Sequence, residues 1–216
     1  MFKVETFRTK NEAVYNFLQA NILAGNLKGG EKLNVGQISK KLNVSGIPIR
    51  EALKSLKSEK LIEYIPHLGA RVIQINKKEL EEIHTIRREL ECLATRMAAP
   101  NMKENDFKKL DEINEEFEQV IQSDKYEKRI SEINKEFHLF IYKKSNNTLL
   151  FKMIVDLWSR SQLIPSGFAQ SLNNRIQSHK EHKLILKALK AGNGDLAAEI
   201  THKQKLRAWE EMVKYG

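Results

Sequence analysis

The sequence predicts a mainly α-helical protein, with an N-terminal winged helix-turn-helix followed by an all-α, six-helix antiparallel bundle. Three observations lead to this prediction. Two short amphipathic segments adjoin within residues 37–52, two alternating apolar segments follow within residues 61–75, and the segments after residue 76 keep helical spacing. Long helices joined by short loops pack as an antiparallel bundle. The expected domains are therefore residues 1–76 and 77–216.

The helix-turn-helix is predicted from apolar spacing and from a helix stop. Ile38 and Leu42 lie one turn apart on a first helix, which Asn43 can end because asparagine tolerates left-handed backbone. Ser45 is expected to cap the second helix, and Pro48 falls in its first turn, where no N–H is needed. The second helix then carries an apolar stripe and an outer cationic face: Ile49, Leu53 and Leu56, and Arg50, Lys54 and Lys57.

A helix at residues 11–24 and a β-hairpin complete the predicted N-terminal domain. Residues 61–65 and 71–75 alternate as strands, and the segment from Pro66 to Gly69 is expected to form the hairpin tip. Gly69 allows the backbone to approach a partner closely, and Arg71 follows it.

Positive charge is concentrated in this domain. The chain has a formal net charge of +9. Residues 1–76 hold 12 Lys and Arg against 6 Asp and Glu, which gives +6, whereas the remaining residues hold 25 against 22, which gives +3. The excess is compatible with a phosphate-binding surface or with an ordinary soluble surface.

The location is predicted from what the sequence lacks. Cys92 is a single cysteine among apolar neighbours, which fits a small core residue in a reducing compartment. The first twenty residues have no apolar signal-peptide core, and no run of about eighteen apolar residues occurs. We expect a cytoplasmic protein without a membrane partner.

The N-terminal motif resembles the winged helix-turn-helix of GntR-family transcription regulators. The resemblance rests on Val44-Ser45-Gly46-Ile47-Pro48-Ile49-Arg50-Glu51-Ala52-Leu53 followed by Gly69-Ala70-Arg71-Val72. It implies binding to double-stranded DNA, with Arg50 as the principal base-contacting residue. Many members carry arginine where this chain has Gly46, so other residues must supply more of the DNA contact. The assisting residues that the resemblance implies are Ser45, Ile47, Lys54, Gly36, Gln37, Gly69 and Arg71.

The second half is similar to the FCD-type C-terminal domain of the FadR subfamily, and the count of six helices favours its VanR-like branch. The matching segments are Ile86-Arg87-Arg88-Glu89-Leu90-Glu91, Asn134-Lys135-Glu136-Phe137-His138, Asn147-Thr148-Leu149-Leu150 and Glu181-His182. The resemblance implies a small-molecule effector in the bundle and a homodimer on a palindromic operator.

The resemblance also implies a divalent metal site of the zinc or nickel class, but this chain departs from its pattern. Asn134 stands where the family has aspartate, while His138 and His182 match two histidines. The third histidine is replaced by Gln204 or, with the alternative alignment of the last helix, by Leu206. Because amides are weak ligands, both a metal site and a metal-free histidine pocket remain open.

Two arginines are candidates for binding an acidic effector. By resemblance Arg87 points into the same pocket, and Arg160 is expected to do so from the fourth bundle helix. Guanidinium binds carboxylate through paired hydrogen bonds, which favours an organic acid. The alternative is that Arg87 or Arg88 pairs with Glu91 or with another acid on the same helix.

We therefore expect a ligand-responsive DNA-binding regulator, with repression as the commoner mode in the family. Phosphate-binding loops, nucleophile elbows and His-Glu-x-x-His motifs are absent, so no catalytic residue is predicted. The alternatives are a metal-dependent enzyme with an accessory basic DNA-binding module and a nonspecific architectural protein.

Overall fold

The computed structural model describes residues 9–23, 25–122, 127–161 and 171–215. It divides into two compact units. The first contains the N-terminal elements up to Leu80 and the end of one later helix from Trp158, and the second contains the remaining helices. The predicted boundary at residue 76 remains a prediction.

The N-terminal unit is a three-helix core followed by a two-stranded hairpin. Its first and second helices pack against the third, which also contacts the first strand. Twelve apolar side chains form its buried core, including Leu18, Ile49 and Leu53. The elements are α1 (Lys10–Leu23), α2 (Val35–Leu42), α3 (Gly46–Ser58), β1 (Ile62–Ile65) and β2 (Gly69–Val72).

The hairpin is shifted from its predicted position. In the antiparallel pair Ile62 lies opposite Val72 and Ile65 opposite Gly69, so β2 begins two residues earlier than residue 71. Only residues 66–68 connect the strands, and Gly69 at φ 84° belongs to β2 and not to the tip. The register follows from burial, because it puts Val72 and Ile62 together in the core.

The helix ends confirm part of the local prediction. Asn43 ends α2 with φ 52°, in the left-handed region. Ser45 occupies the N-cap of α3, but its side chain makes no capping hydrogen bond, so the expected serine cap was wrong. The side-chain cap in this motif is found instead at the start of α2, where Asn34 Oδ1 accepts from the backbone N–H groups of Gly36 and Gln37.

The predicted six helices of the bundle are found among the described residues. Asn76 Oδ1 accepts from the Glu79 backbone N–H at 2.9 Å and so caps the first of them. No helix in the described part of the chain combines the length and apolarity needed to cross a membrane. The helices are α4 (Lys77–Ala98), α5 (Glu104–Val120), α6 (Glu127–Lys143), α7 (Thr148–Ser161), α8 (Leu172–Lys190) and α9 (Gly194–Tyr215).

Candidate functional site

The outer face of α3 is exposed and carries cations. Arg50 and Lys54 both lie on the surface, opposite the buried Ile49 and Leu53. Lys54 Nζ is 2.7 Å from Glu51 Oε1, and this hydrogen bond raises the pKa of the lysine. The helix therefore exposes two positively charged groups one turn apart, which suits contact with a polyanion.

Gly46 determines where the Arg50 side chain can lie. A Cβ at Gly46 would come within 3.2 Å of Arg50 Nη1, so the guanidinium extends over the first turn of α3. A side chain at position 46 would compete for this space. The glycine that replaces the family arginine thus leaves room for Arg50 at the start of the helix.

The remaining predicted residues of this surface have different roles. The N–H groups of Gly36 and Gln37 are already bonded to Asn34, and both residues are exposed at the start of α2. Arg71 is half-buried, and its Nη1 donates to the Gly30 carbonyl at 2.8 Å. Arg71 therefore connects β2 to the loop before α2 as well as contributing positive charge.

Sequence reasoning missed one cation beside the hairpin. Lys32 is exposed and forms an isolated β-bridge with Arg71. Its Cε lies 4.0 Å from the position of a Cβ on Gly69. Lys32 is 37 positions from Gly69 in the sequence, and no local pattern indicates that the two are neighbours.

The second candidate site is a set of hydrogen-bonded charged side chains inside the bundle, centred on the fully buried Glu91. Arg87 Nη2 lies 2.9 Å from Glu91 Oε1, and Lys205 Nζ lies 3.1 Å from Oε2. Tyr142 donates its hydroxyl hydrogen to the same Oε2 at 2.8 Å. Arg87 thus pairs with the acid one turn away on α4, as the alternative interpretation of the sequence had it.

Two histidines extend this network. His138 Nδ1 is 3.3 Å from the Tyr142 hydroxyl oxygen, and His182 Nε2 is 3.2 Å from His138 Nε2. Because Tyr142 gives its hydrogen to Glu91, it accepts from His138 Nδ1–H. His138 Nε2 is then the acceptor and His182 Nε2–H the donor. We call the resulting series His182, His138, Tyr142 and Glu91 the buried relay.

Burial and the neighbouring charges together set the protonation states of the side chains in the buried relay. Desolvation lowers the pKa of His138 and His182 well below the usual value, with a further contribution from the charge of Lys205, so both rings are neutral at neutral pH. The Lys205 and Arg87 charges lower the pKa of Glu91 against the opposing effect of burial. Desolvation and the Glu91 carboxylate raise the pKa of Tyr142.

Several polar side chains of the bundle have buried atoms without a hydrogen-bond partner in the described protein. Gln204 is 3 % exposed, and neither its Oε1 nor its Nε2 has a hydrogen-bond partner. His182 Nδ1 and His179 Nε2 are likewise buried without one. Leu206, by contrast, is 37 % exposed. Of the two alignments of the last helix, the one that puts Gln204 at the position of the family's third histidine therefore puts an inward-facing side chain there.

The donors that are brought together do not fit a zinc-class metal site. The Nε2 atoms of His138 and His182 face each other as a hydrogen-bonded pair. Within the described ranges no group of three or more His, Cys, Asp or Glu side chains has a metal-binding arrangement. Asn134 is only half-buried on α6, and an amide there is a poor substitute for a carboxylate.

Arg160, the second arginine predicted to contact an effector, has a carboxylate partner on another helix. Its guanidinium forms an ion pair with Glu79 at the start of α4. Both residues belong to the N-terminal unit, whereas the buried relay belongs to the other. Arg160 thus has a carboxylate partner within its own unit, and its predicted contact with an effector stays a prediction.

Sequence reasoning also missed two of the side chains that bond to Glu91, namely Tyr142 and Lys205. Tyr142 follows His138 by one turn, a spacing that could have indicated a shared helix face. Lys205 is 114 positions from Glu91, and nothing in the sequence around it indicates that its half-buried side chain reaches that carboxylate.

Comparison with known proteins follows the same division. Residues 10–72 match the model of the bacterial regulatory proteins of the gntR family, and residues 82–204 match the FCD domain. The HTH-type transcriptional regulator McbR of Escherichia coli (strain K12) is 33% identical over 180 residues, which cover 82% of this chain and 81% of McbR. The gluconate operon transcriptional repressor of Bacillus licheniformis is 27% identical over 196 residues, covering 86% and 77%.

A solved structure agrees with these matches. The structure of E. coli McbR/YncC superposes with a TM-score of 0.75 at 28% identity. The superposition covers 95% of this chain and 98% of that one. The sequence match and the structural match therefore extend through both the helix-turn-helix and the helical bundle.

Proposed function

Because the chain belongs to the GntR family of bacterial transcription regulators and carries an FCD domain, we propose that it is a repressor that binds a palindromic operator as a homodimer and responds to an acidic effector. It is a DNA-binding regulator and not an enzyme. As such a regulator it works in the cytoplasm, where bacterial DNA lies. A dimer has two copies of α3, which match the two halves of a palindrome.

The exposed cationic face of α3 is the observation that carries the DNA-binding assignment. Arg50 extends over the first turn of the helix, where base edges are contacted in such motifs. Lys54 lies one turn further on the same face and suits a phosphate contact. Beside the hairpin, Lys32 supplies a cation, and Gly69, which has no side chain, lets the backbone come close to DNA. Together they suit a second phosphate contact.

Selection from random duplexes, followed by binding measurements on the enriched sequence, tests this assignment. Enrichment of one palindrome is expected, with binding that weakens as salt rises. Arg50→Ala should weaken operator binding by about 1–3 kcal/mol, the value of a good base contact. Arg96→Ala removes an exposed arginine of the bundle and serves as the matched control. Equal affinity of the wild type for random DNA would contradict the assignment.

The charges around Glu91 support the proposal of an acidic effector. With Lys205 protonated, Arg87 and Lys205 supply two positive charges against the single charge of Glu91, so this trio carries +1. A buried positive charge favours a bound anion. Gln204, His179 and His182 add polar atoms that the described protein does not satisfy, and a ligand rich in hydroxyl and carboxylate groups would satisfy them.

Thermal unfolding with a panel of small organic acids, and with the matching alcohols, tests this part of the proposal. A ligand that binds only the folded protein raises the unfolding temperature as its concentration increases. An acid should do so while the matching alcohol does not, and Lys205→Met should abolish the difference. Stabilisation by alcohol and acid alike would contradict an anionic effector.

Metal dependence is not needed for this mechanism. The neutral His182 ring can bind a ligand through its unpaired Nδ1 by a hydrogen bond alone, and Asn134 and Gln204 offer amide groups in place of the family's stronger ligands. Effector binding changes operator affinity to the extent that the effector prefers one arrangement of the dimer over another. We propose that this preference weakens DNA binding.

A further inference from the structure

An aliphatic side chain lies on the cationic face of α3. Ile47 is 72 % exposed, the highest value for any large apolar side chain among the described residues. It occupies the first turn of the helix, one turn before Arg50 and Glu51 and two turns before Lys54. This spacing puts it on the same face as those charged groups.

Ile47 contributes nothing to the core of its own unit. The core side of α3 is formed by Ile49, Ala52, Leu53 and Leu56, each at most 1 % exposed. The neighbouring Gly46 has no side chain to cover the isoleucine. An isolated exposed apolar residue is ordinary on a protein surface, but this one is at the helix end that faces the DNA in the proposed complex.

The major groove offers one apolar group to such a side chain. Base edges there present hydrogen-bond donors and acceptors, and thymine alone adds a C5-methyl group. We propose that Ile47 contacts the C5-methyl group of a thymine in each operator half-site and thereby helps to specify the operator sequence. This inference rests on the proposed function and adds a base identity to it.

The expected contribution is small but measurable. Removing one buried methyl-sized group costs about 0.8 kcal/mol, which corresponds to about fourfold in affinity for each half-site. Deoxyuridine pairs like thymidine and lacks only this methyl group, so it isolates the contact. The coupling between the methyl group and the Ile47 side chain is then the quantity to measure.

The experiment uses the full chain and the palindrome obtained by selection. Each symmetric pair of thymidines is replaced in turn by deoxyuridine, and the affinity is measured for the wild type, Ile47→Val and Ile47→Ala. At one pair the wild type should lose about fourfold per half-site, Ile47→Val should lose a similar amount, and Ile47→Ala should lose almost nothing. Ile47→Ala should fold normally, since its side chain is exposed.

Leu149→Ala is the matched control, because Leu149 is 70 % exposed on α7, outside the helix-turn-helix. It should keep the wild-type response to deoxyuridine. The inference is overturned if every deoxyuridine replacement lowers the affinity of the wild type and of Ile47→Ala equally, or lowers neither. The proposed function would stand in that case. Failure to enrich any sequence overturns both.

Discussion

The helix-turn-helix unit keeps its charged side chains on its surface, whereas the bundle buries several of its own. All the buried polar and charged side chains of the described residues lie beyond residue 86, and all but Ser161 belong to the bundle unit. The core cluster of the N-terminal unit consists of apolar side chains, and Ser161 is the one buried polar side chain among that unit's described residues. A surface that binds DNA needs exposed cations, while a pocket that binds a small polar ligand needs buried polar groups, which must be paired to be tolerated.

The largest expected effect follows from removing the carboxylate at the centre of the bundle. Glu91→Gln leaves the buried Arg87 and the half-buried Lys205 without their counter-charge, and should lower the free energy of unfolding by about 3–5 kcal/mol. Urea unfolding followed by circular dichroism measures it. Glu89→Gln, on the exposed side of the same helix, is the control and should change stability by less than about 1 kcal/mol. Equal effects of the two changes would show that the burial of Glu91 between two cations adds nothing to stability.

Gln204 tests whether the bundle holds polar groups for a ligand at the expense of stability. Gln204→Leu removes two buried amide atoms that lack partners, and should raise the free energy of unfolding by about 1–2 kcal/mol. The same change should weaken effector binding in the thermal assay. Leu206→Gln, two residues along at an exposed position, should affect neither. A destabilised Gln204→Leu protein would show that the amide is bonded in solution.

The histidines of the buried relay predict a pH dependence confined to the bundle. Their pKa values are lowered by folding, so the unfolded chain binds more protons as the pH falls below about 6.5. Stability should therefore decrease with falling pH, by up to about 1.4 kcal/mol per unit for each histidine. Urea unfolding at pH 7.5 and 5.5 measures the decrease, which should be smaller in His138→Asn. A decrease of the same size in that variant would contradict this origin.

The smallest effect on stability is expected at the exposed charges of α3. Lys54→Ala removes an exposed pair with Glu51 and should change the free energy of unfolding by less than about 0.5 kcal/mol. Its effect should appear in DNA binding, where the slope of log affinity against log salt should fall by about 1 for each protomer. Lys152→Ala, on the exposed surface of α7, is the control and should leave the slope unchanged. An unchanged slope for Lys54→Ala would place Lys54 away from the phosphates.

Local sequence was sufficient for most of the fold. The stop at Asn43 depends only on the local backbone conformation, and it was predicted correctly. The strand β2 was misplaced by two residues because alternation alone does not fix which residue pairs with Ile62. The Ser45 cap was expected from residue type, and the structure gives the hydroxyl no such bond.

The sequence by itself determined the order of the helices, the helix-turn-helix with its cationic face, and the presence of His138 and His182 in the bundle. Only the tertiary structure decided the partners of the buried charges. Tyr142 is 51 positions from Glu91, and His182 is 44 from His138. Helical periodicity assigns each residue to a face of its own helix, but which side chain of another helix it meets depends on how the helices pack.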